Sequence, residues 1–248
     1  MAESKTPLTL VSVVVPFYNE EDNVEPLHER IVAVFASLPD YDVECVFVND
    51  GSTDNTRAVL DRLSQTTDNL RAIHLIHNCG QSAALVTGLR HARGDYLITL
   101  DGDLQNDPQD IPNFLELLKT TDFVCGYRKQ RHDNRIRLLS SRIANTVRNW
   151  VLHDGLNDAS CGIKGLRRKC LPHVIAFNGI HRFMGVVMRA AGMTTAECVV
   201  THHPRLHGVS KYGINNRLWR GLYDLVGVAW LRRRYVNPDI EDHDAGIF

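Results

Sequence analysis

Short apolar runs rich in β-branched residues alternate with helical segments along the first half of the chain. The run Leu10–Phe17 (LVSVVVPF) is continuous, as in a buried parallel strand, and apolar residues then recur at helical spacing across 24–38. The same order follows the runs Val43–Val48, Leu70–Ile76 and Tyr96–Leu100. Repeated strand–helix units predict an α/β fold with a Rossmann-like, mostly parallel sheet that is flanked by helices.

Composition narrows the class of protein. With 248 residues, 44% of them hydrophobic, the chain can bury a substantial core without disulfides or a structural metal. A formal net charge of -1 argues against a nucleic-acid partner. Six cysteines without a CxxC pair fit a reducing cytoplasm. Because no apolar segment is long enough for a signal peptide or a spanning helix, we expect a cytoplasmic protein that does not cross a membrane.

Polar loops begin where the apolar runs stop. They read PFYNEE (16–21), NDGSTD (49–54), HNCGQS (77–82) and DGDLQNDP (101–108). In open parallel sheets, ligands bind beyond the carboxyl ends of the strands. These loops are therefore where the sequence predicts the functional site.

Two acidic positions stand out in these loops. Asp101 and Asp103 flank Gly102 at the end of a strand, and a hard divalent cation that bridges phosphates needs such carboxylate oxygens. An acidic turn with a glycine for backbone reasons is the alternative. Asp50 also ends a strand and is expected to accept a hydrogen bond from a nucleobase or ribose, whereas Asp54 fits a helix cap slightly better.

Beyond about residue 127 the alternation weakens. A basic helical stretch extends over 135–151, NDASCG (157–162) follows, and irregular sequence is expected up to HHPRLHGVSKYG (202–213). Because no Gly-, Ser- or Pro-rich linker divides the chain, we predict a single domain. Its predicted parts are a nucleotide half, an acceptor half, a terminal amphipathic helix and a tail, at about 8–127, 128–213, 214–236 and 237–248.

Four ordered motifs, PFYNE, NDGSTD, DGDLQ and RLHGVSKYG, resemble family 2 glycosyltransferases of the GT-A fold. The resemblance covers roughly 10–235 and is strongest to the polyprenyl-phosphate subgroup, which includes dolichyl-phosphate mannosyltransferase-like enzymes. It implies that DGDLQ corresponds to the subgroup's DADLQ, with Gly102 in place of alanine. The residues that it implies for nucleotide-sugar binding are Pro16, Tyr18, Glu20, Asp50, Asp101, Gly102, Asp103 and Lys211. The metal ligands that it implies for Mg²⁺ or Mn²⁺ are Asp101, Asp103 and Gln105.

The resemblance also covers the acceptor side. It places recognition of an acceptor phosphate at Arg128, Arg137 and Ser141, whereas the residues alone favour a solvated basic helix. The residues Arg205, Gly208, Ser210 and Lys211 resemble the family's RxxGxSK segment, whose cations lie on the donor diphosphate. Arg205, Asp101 and Asp103 are the predicted catalytic residues.

Two further segments give weaker indications of a functional role. Asp158 in NDASCG resembles the family's DxxSG segment near the acceptor, but Ile163 and Lys164 replace the usual Phe and Arg. The histidines His202, His203 and His207 fit loop residues better than a zinc site, because no cysteine or carboxylate stands beside them at ligand spacing.

The expected activity is an inverting, metal-dependent transfer of a hexose from GDP-mannose or a UDP-sugar to a polyprenyl phosphate. The alternatives are transfer to a sugar or protein hydroxyl with Asp158 as base, and a non-catalytic nucleotide-sugar-binding module. In the terminal helix, Leu218, Leu222, Leu225, Val226 and Ala229 are expected to share one apolar face. With its aromatic residues and the three arginines 232–234, this helix predicts peripheral association with the inner face of the membrane, either directly or beside a separate membrane partner.

Overall fold

A computed structural model of the chain describes residues 8–129, 146–204 and 214–236. The strands are β1 (Thr9–Phe17), β2 (Tyr41–Asn49), β3 (Leu70–His74), β4 (Tyr96–Thr99), β5 (Phe123–Tyr127), β6 (Lys164–Arg167) and β7 (Thr195–Val199). The helices are α1 (Val24–Phe35), α2 (Thr56–Thr66), α3 (Gln81–His91), α4 (Ile111–Leu118), α5 (helical over 146–152), α6 (Ile180–Ala190) and α7 (Ile214–Arg234).

The strands form one seven-stranded sheet in the order β3-β2-β1-β4-β6-β5-β7. Neighbouring strands are parallel, except that β6 runs antiparallel to both β4 and β5. The strand order reverses at β1, because β2 and β3 lie on one side of it and β4 on the other. The mixed α/β fold with a mostly parallel sheet, predicted from the alternating pattern, is confirmed.

Helices cover both faces of this sheet. Alternate residues of β1 point to opposite faces, so Val13 packs in a cluster with α1 and α4, and Val14 packs in a cluster with α3 and α6. Both valines are fully buried. The β-branched runs therefore form strands because both of their faces are covered by apolar helix surfaces.

The expectation of irregular sequence between about 163 and 201 is wrong. This part of the chain contributes β6, α6 and β7, and two of these elements complete the sheet. The strand β6 reads KGLR, which has no strand signature of its own, and it forms because β4 and β5 pair with it on both sides. The helix α6 does carry a helical apolar pattern, with buried side chains at Ile180, Met184 and Val187.

The terminal helix α7 has two distinct faces. Leu225 and Val228 are buried in a cluster with Leu152 of α5 and two residues of α6. Val226, which was expected to share the face of Leu225, is 71% exposed and lies with Tyr223 and Trp230 on the opposite face. That prediction is wrong because the protein surface covers only a narrow stripe of the helix. Among the described residues, no helix combines the length and the apolar character that a membrane span requires.

Candidate active site

The carboxyl ends of β1, β2 and β4 meet at the point where the strand order reverses. The last residues of β1 and β2, Phe17 and Asn49, are aligned in register, and Val14 of β1 is aligned with Thr99, the last residue of β4. The N–H of Asp50 donates to the carbonyl of Phe17 at 2.8 Å. The loops that follow these three strands therefore share one edge of the sheet, which is where ligands bind in this class of fold.

The first two loops are joined to each other by hydrogen bonds. Asn19, which has a φ of 50°, donates its N–H to the hydroxyl of Ser52 and accepts the N–H of Thr53 on its side chain. The N–H of Glu20 donates to Thr56 at the start of α2, and its carboxylate accepts from Asn23 at 2.6 Å. The predicted nucleotide residues Pro16, Tyr18 and Glu20 thus lie in a backbone that both loops hold in place.

Asp50 organises the third loop. Its carboxylate accepts the backbone N–H groups of Cys79 and Gly80 at 2.8 and 2.9 Å and the side-chain amide of Asn78 at 3.0 Å. Burial raises the pKa of Asp50 above its ordinary value, and the two backbone donors partly offset this effect. The structure gives Asp50 a role in shaping the loop 77–82, and its contact with a nucleoside stays a prediction.

The acidic pair follows β4 in a tight turn. Asp101 is half-buried, and its Oδ1 accepts a hydrogen bond from Gln81 at 2.8 Å. Asp103 is buried, and its Oδ1 accepts the N–H of Gln105 at 3.2 Å. The turn is completed by Leu104 in the left-handed region at a φ of 59°, a conformation that costs free energy in a non-glycine residue and is concentrated at functional sites.

Two glycines leave room for this turn. A Cβ on Gly102 would lie 2.6 Å from the ring of Phe17, so the residue that replaces the subgroup's alanine is packed too closely for a methyl group here. A Cβ on Gly162 would overlap the carboxylate of Asp101 and lie 2.6 Å from Oδ1 of Asn106. The second glycine belongs to the segment NDASCG, which thereby reaches the acidic pair.

The donor set fits a hard divalent cation. Two carboxylates and the amide of Gln105 come from one turn, and Mg²⁺ is commonly held by one or two carboxylates together with substrate phosphates. The residues 8–129, 146–204 and 214–236 contain no group of three His, Cys, Asp or Glu side chains that could hold a metal by themselves. The assignment of Asp101, Asp103 and Gln105 as metal ligands therefore stays a prediction.

The chain immediately before Arg205 is attached to the acidic turn. The N–H of His203 donates to the carbonyl of Gln105 at 2.9 Å, and its ring lies 2.8 Å from the carboxylate of Asp107. Although burial raises the pKa of Asp107, the contact with His203 and a backbone donor outweigh burial and lower it below the ordinary value. The predicted site residues Arg205, Lys211, Arg137 and Ser141 lie outside the described residues.

Arg128 forms an ion pair with the buried carboxylate of Asp158. Its Nε and Nη2 donate to the two carboxylate oxygens of Asp158 at 2.6 and 3.0 Å, and Nη2 also donates to Ser160 at 3.1 Å. Burial disfavours the charged guanidinium, but the pairing with Asp158 outweighs burial and raises the pKa of Arg128. Sequence reasoning named both residues without predicting that they pair, because 30 residues separate them.

Sequence reasoning missed Gln81 and Gly162 as site residues. Gln81 donates a hydrogen bond to the carboxylate of Asp101, and Gly162 lies against the same carboxylate. Both residues come from other parts of the chain. The signal for Gln81 was its place in HNCGQS, a loop that follows a strand at the same edge of the sheet. No local signal marks Gly162, since only the packing of a distant segment makes its missing side chain necessary.

Comparison with known proteins places the chain in a family. The sequence profile of glycosyl transferase family 2 matches residues 12–175, and the acidic pair lies inside this range. The chain belongs to glycosyl transferase family 2. The family and the enzyme class predicted from the motifs are therefore confirmed, and the protein is a glycosyltransferase.

Similar family members are longer than this chain. It is 39% identical over 240 residues to a dodecaprenyl-phosphate galacturonate synthase of Rhizobium johnstonii, a match that covers 92% of this chain and 69% of that protein. It is 34% identical over 222 residues to an undecaprenyl-phosphate 4-deoxy-4-formamido-L-arabinose transferase of Pseudomonas fluorescens, with 89% and 64% covered. The chain thus spans about two thirds of the length of these relatives.

A solved structure agrees with the architecture of the chain. Glucosyl-3-phosphoglycerate synthase from Mycobacterium tuberculosis, in complex with Mn²⁺, UDP-glucose and phosphoglyceric acid, superposes with a TM-score of 0.64 at 19% identity. The match covers 93% of this chain and 81% of that one. At this identity the likeness shows the fold alone.

Proposed function

We propose that this family 2 enzyme transfers a sugar from a nucleoside diphosphate sugar, either GDP-mannose or a UDP-sugar, to a polyprenyl phosphate with inversion at the anomeric carbon. The observation that carries the proposal is the match, over 92% and 89% of the chain, to two enzymes named for dodecaprenyl phosphate and undecaprenyl phosphate. The cluster of acidic and amide side chains at the carboxyl end of β4 supports the donor half of the reaction.

The donor site is proposed at the edge where the three strand-end loops meet. Asp101, Asp103 and Gln105 would hold Mg²⁺ or Mn²⁺ on the donor diphosphate, in agreement with the Mn²⁺ present in the solved glucosyl-3-phosphoglycerate synthase complex. The bound cation would neutralise charge that builds on the departing nucleoside diphosphate. Residues proposed to contact the nucleoside, the sugar or the diphosphate are Pro16, Tyr18, Glu20, Asp50, Gly102, Arg205 and Lys211.

The acceptor site is proposed beside the Arg128–Asp158 pair, with Arg137 and Ser141 as further phosphate contacts. The pairing fixes the guanidinium through Nε and Nη2, and a guanidinium carries additional N–H donors on Nη1 for a phosphate. A phosphate acceptor is already anionic, so it attacks the anomeric carbon without a general base. Asp158 is a poor candidate for such a base, because both of its oxygens accept from Arg128.

Partition of the labelled product between water and an organic solvent tests the proposed reaction. The purified chain would be given radiolabelled GDP-mannose and a set of UDP-sugars, with Mn²⁺ and a short polyprenyl phosphate, and the label would be extracted into organic solvent. We expect label in the organic phase with one donor, and loss of it in Asp103→Asn but not in the control Asp68→Asn, an exposed aspartate before β3. Label on a water-soluble acceptor would favour transfer to a hydroxyl, and binding without turnover would favour a non-catalytic module.

Membrane association is proposed through the outer face of α7. Tyr223, Val226 and Trp230 are 82%, 71% and 64% exposed and recur at helical spacing, and Arg233 and Arg234 continue the same face. An apolar stripe with aromatic residues and terminal arginines suits the interface of an anionic bilayer.

Flotation with vesicles tests this surface. We expect the chain to float with vesicles that contain anionic lipid, and the double variant Tyr223→Ser, Trp230→Ser to stay in the soluble fraction. Ile76→Ser is the matched control, since Ile76 is 98% exposed in a different part of the molecule. Equal recovery of wild type and double variant in the soluble fraction would contradict direct binding and favour a separate membrane partner.

A further inference from the structure

The start of α3 reaches the acidic pair through one side chain. Gln81 is the first residue of α3, and its Nε2 donates to Oδ1 of Asp101 at 2.8 Å. An ionised carboxylate only accepts hydrogen bonds, so the amide nitrogen of the glutamine must face it. The contact joins two loops that are 20 residues apart in the sequence.

Gln81 is held in place on both sides. On one side, the N–H of Gly80 donates to the buried carboxylate of Asp50. On the other side, the hydroxyl of Ser82 accepts the N–H of Gly179 at 2.9 Å and lies 2.8 Å from the ring of His181 in α6. Because both neighbours are fixed to separate elements, the backbone of Gln81 has little freedom to move relative to the sheet.

The opposite side of the Asp101 carboxylate is also occupied. It lies so close to Gly162 that an added Cβ there would overlap both Oδ2 and Cγ. Gly162 is itself fixed, since its carbonyl accepts the hydroxyl of Thr99 at 2.9 Å. The carboxylate is therefore confined between an amide donor and a backbone segment that has no side chain.

We propose that Gln81 is a positioning residue that orients the carboxylate of Asp101 toward the cation of the donor diphosphate. This inference rests on the proposed metal-dependent function. A neutral amide suits the task, because it fixes the orientation of the carboxylate without cancelling the negative charge that the cation requires. Hydrogen-bond partners of ligating carboxylates commonly set metal affinity in this way.

The test compares metal binding with folding. Mn²⁺ would be titrated by electron paramagnetic resonance into the full chain with saturating GDP or UDP, whichever stabilises the wild type. The variant Gln81→Met keeps the length of the side chain and removes its donor. Gln65→Met is the matched control, since Gln65 is an exposed glutamine near the end of α2.

We expect Gln81→Met to bind Mn²⁺ about tenfold more weakly, as is usual when an outer partner of a metal ligand is lost. Its melting temperature and its affinity for the nucleotide without metal should match those of the wild type. Gln65→Met should match the wild type in all three measurements.

Two results would overturn the positioning role alone. One is wild-type Mn²⁺ affinity in Gln81→Met. The other is a loss of Mn²⁺ affinity that is accompanied by an equal loss of metal-free nucleotide affinity and by a lower melting temperature, because this would show that the contact is merely structural. Failure of the wild type to bind Mn²⁺ with either nucleotide would overturn the proposed donor site itself, and this inference with it.

Discussion

Gly162→Ala is the substitution that most directly tests the geometry of the acidic pair. The alanine Cβ would lie 2.6 Å from Oδ1 of Asn106 and would overlap the carboxylate of Asp101, whereas ordinary contacts of this kind are 3.4–4 Å. Gly162 lies in a loop that is fixed by its bond to Thr99. The neighbouring side chains, rather than the glycine backbone, therefore have to move.

The size of the effect follows from that displacement. To reach an ordinary contact, the Asp101 carboxylate must move by about 1 Å, and a displacement of this size at a reacting site can reduce the rate about a hundredfold. Overpacking of this kind also costs about 1–3 kcal/mol of stability. We therefore expect a loss of metal-dependent turnover that is much larger than the loss of folding stability.

Substitutions at two other glycines separate the effect on the metal site from the effect on folding stability. Gly94→Ala would place a Cβ 2.6 Å from the N atom of Ser12, so it should lower the melting temperature without changing Mn²⁺ affinity. A Cβ on Gly227 in α7 would meet nothing within 4 Å. Gly227→Ala should therefore leave the Mn²⁺ affinity unchanged, and the melting temperature should stay the same or rise slightly.

The assay is Mn²⁺ binding and sugar transfer at a temperature where each variant is folded, with unfolding followed by circular dichroism. A Gly162→Ala variant that binds Mn²⁺ and turns over as the wild type does would refute this prediction. A Gly94→Ala variant that, at equal loss of stability, loses as much metal affinity as Gly162→Ala would also refute it.

Three further predictions concern stability and reactivity. Arg128→Met removes the guanidinium that pairs with the buried carboxylate of Asp158, so the free energy of unfolding in urea should fall by about 3–5 kcal/mol. An unfolding free energy equal to that of the wild type would contradict this expectation. Burial raises the pKa of Glu44, but hydrogen bonds from a serine hydroxyl and from Arg93 outweigh burial and lower it. Since its pKa is higher in the unfolded chain, this stabilisation is present above about pH 4.5 and is lost as the pH falls, so Glu44→Gln should flatten the acid limb of the stability profile. Cys79 is exposed and the other five cysteines are buried, so a thiol reagent should label one site in the native protein and six after denaturation.

Local patterns in the sequence were sufficient for most of the sheet. The run before Asn49 forms β2 because each of its apolar residues is covered on one face or the other, which a continuous β-branched run already indicates. The strand β6 could not be predicted in the same way. Its four residues gain their conformation from hydrogen bonds to β4 and β5, which are remote in the sequence.

The same division holds for the candidate site. The spacing of Asp101 and Asp103 at the end of a strand indicated an acidic pair, since consecutive residues of one turn must lie close together. The contact of Gln81 with Asp101 and the fit of Gly162 against it join residues that are 20 and 61 positions away from the aspartate.

The sequence by itself thus determined the fold class, the family and the edge of the sheet where the chemistry is proposed. These depend on short-range periodicity and on motifs that each occupy a single loop. Only the tertiary structure decided how the carboxylate of Asp101 is confined, that Arg128 is paired with Asp158, and which face of α7 is exposed. Those features depend on contacts between distant segments, and such contacts exist only once the sheet and its helices have packed together.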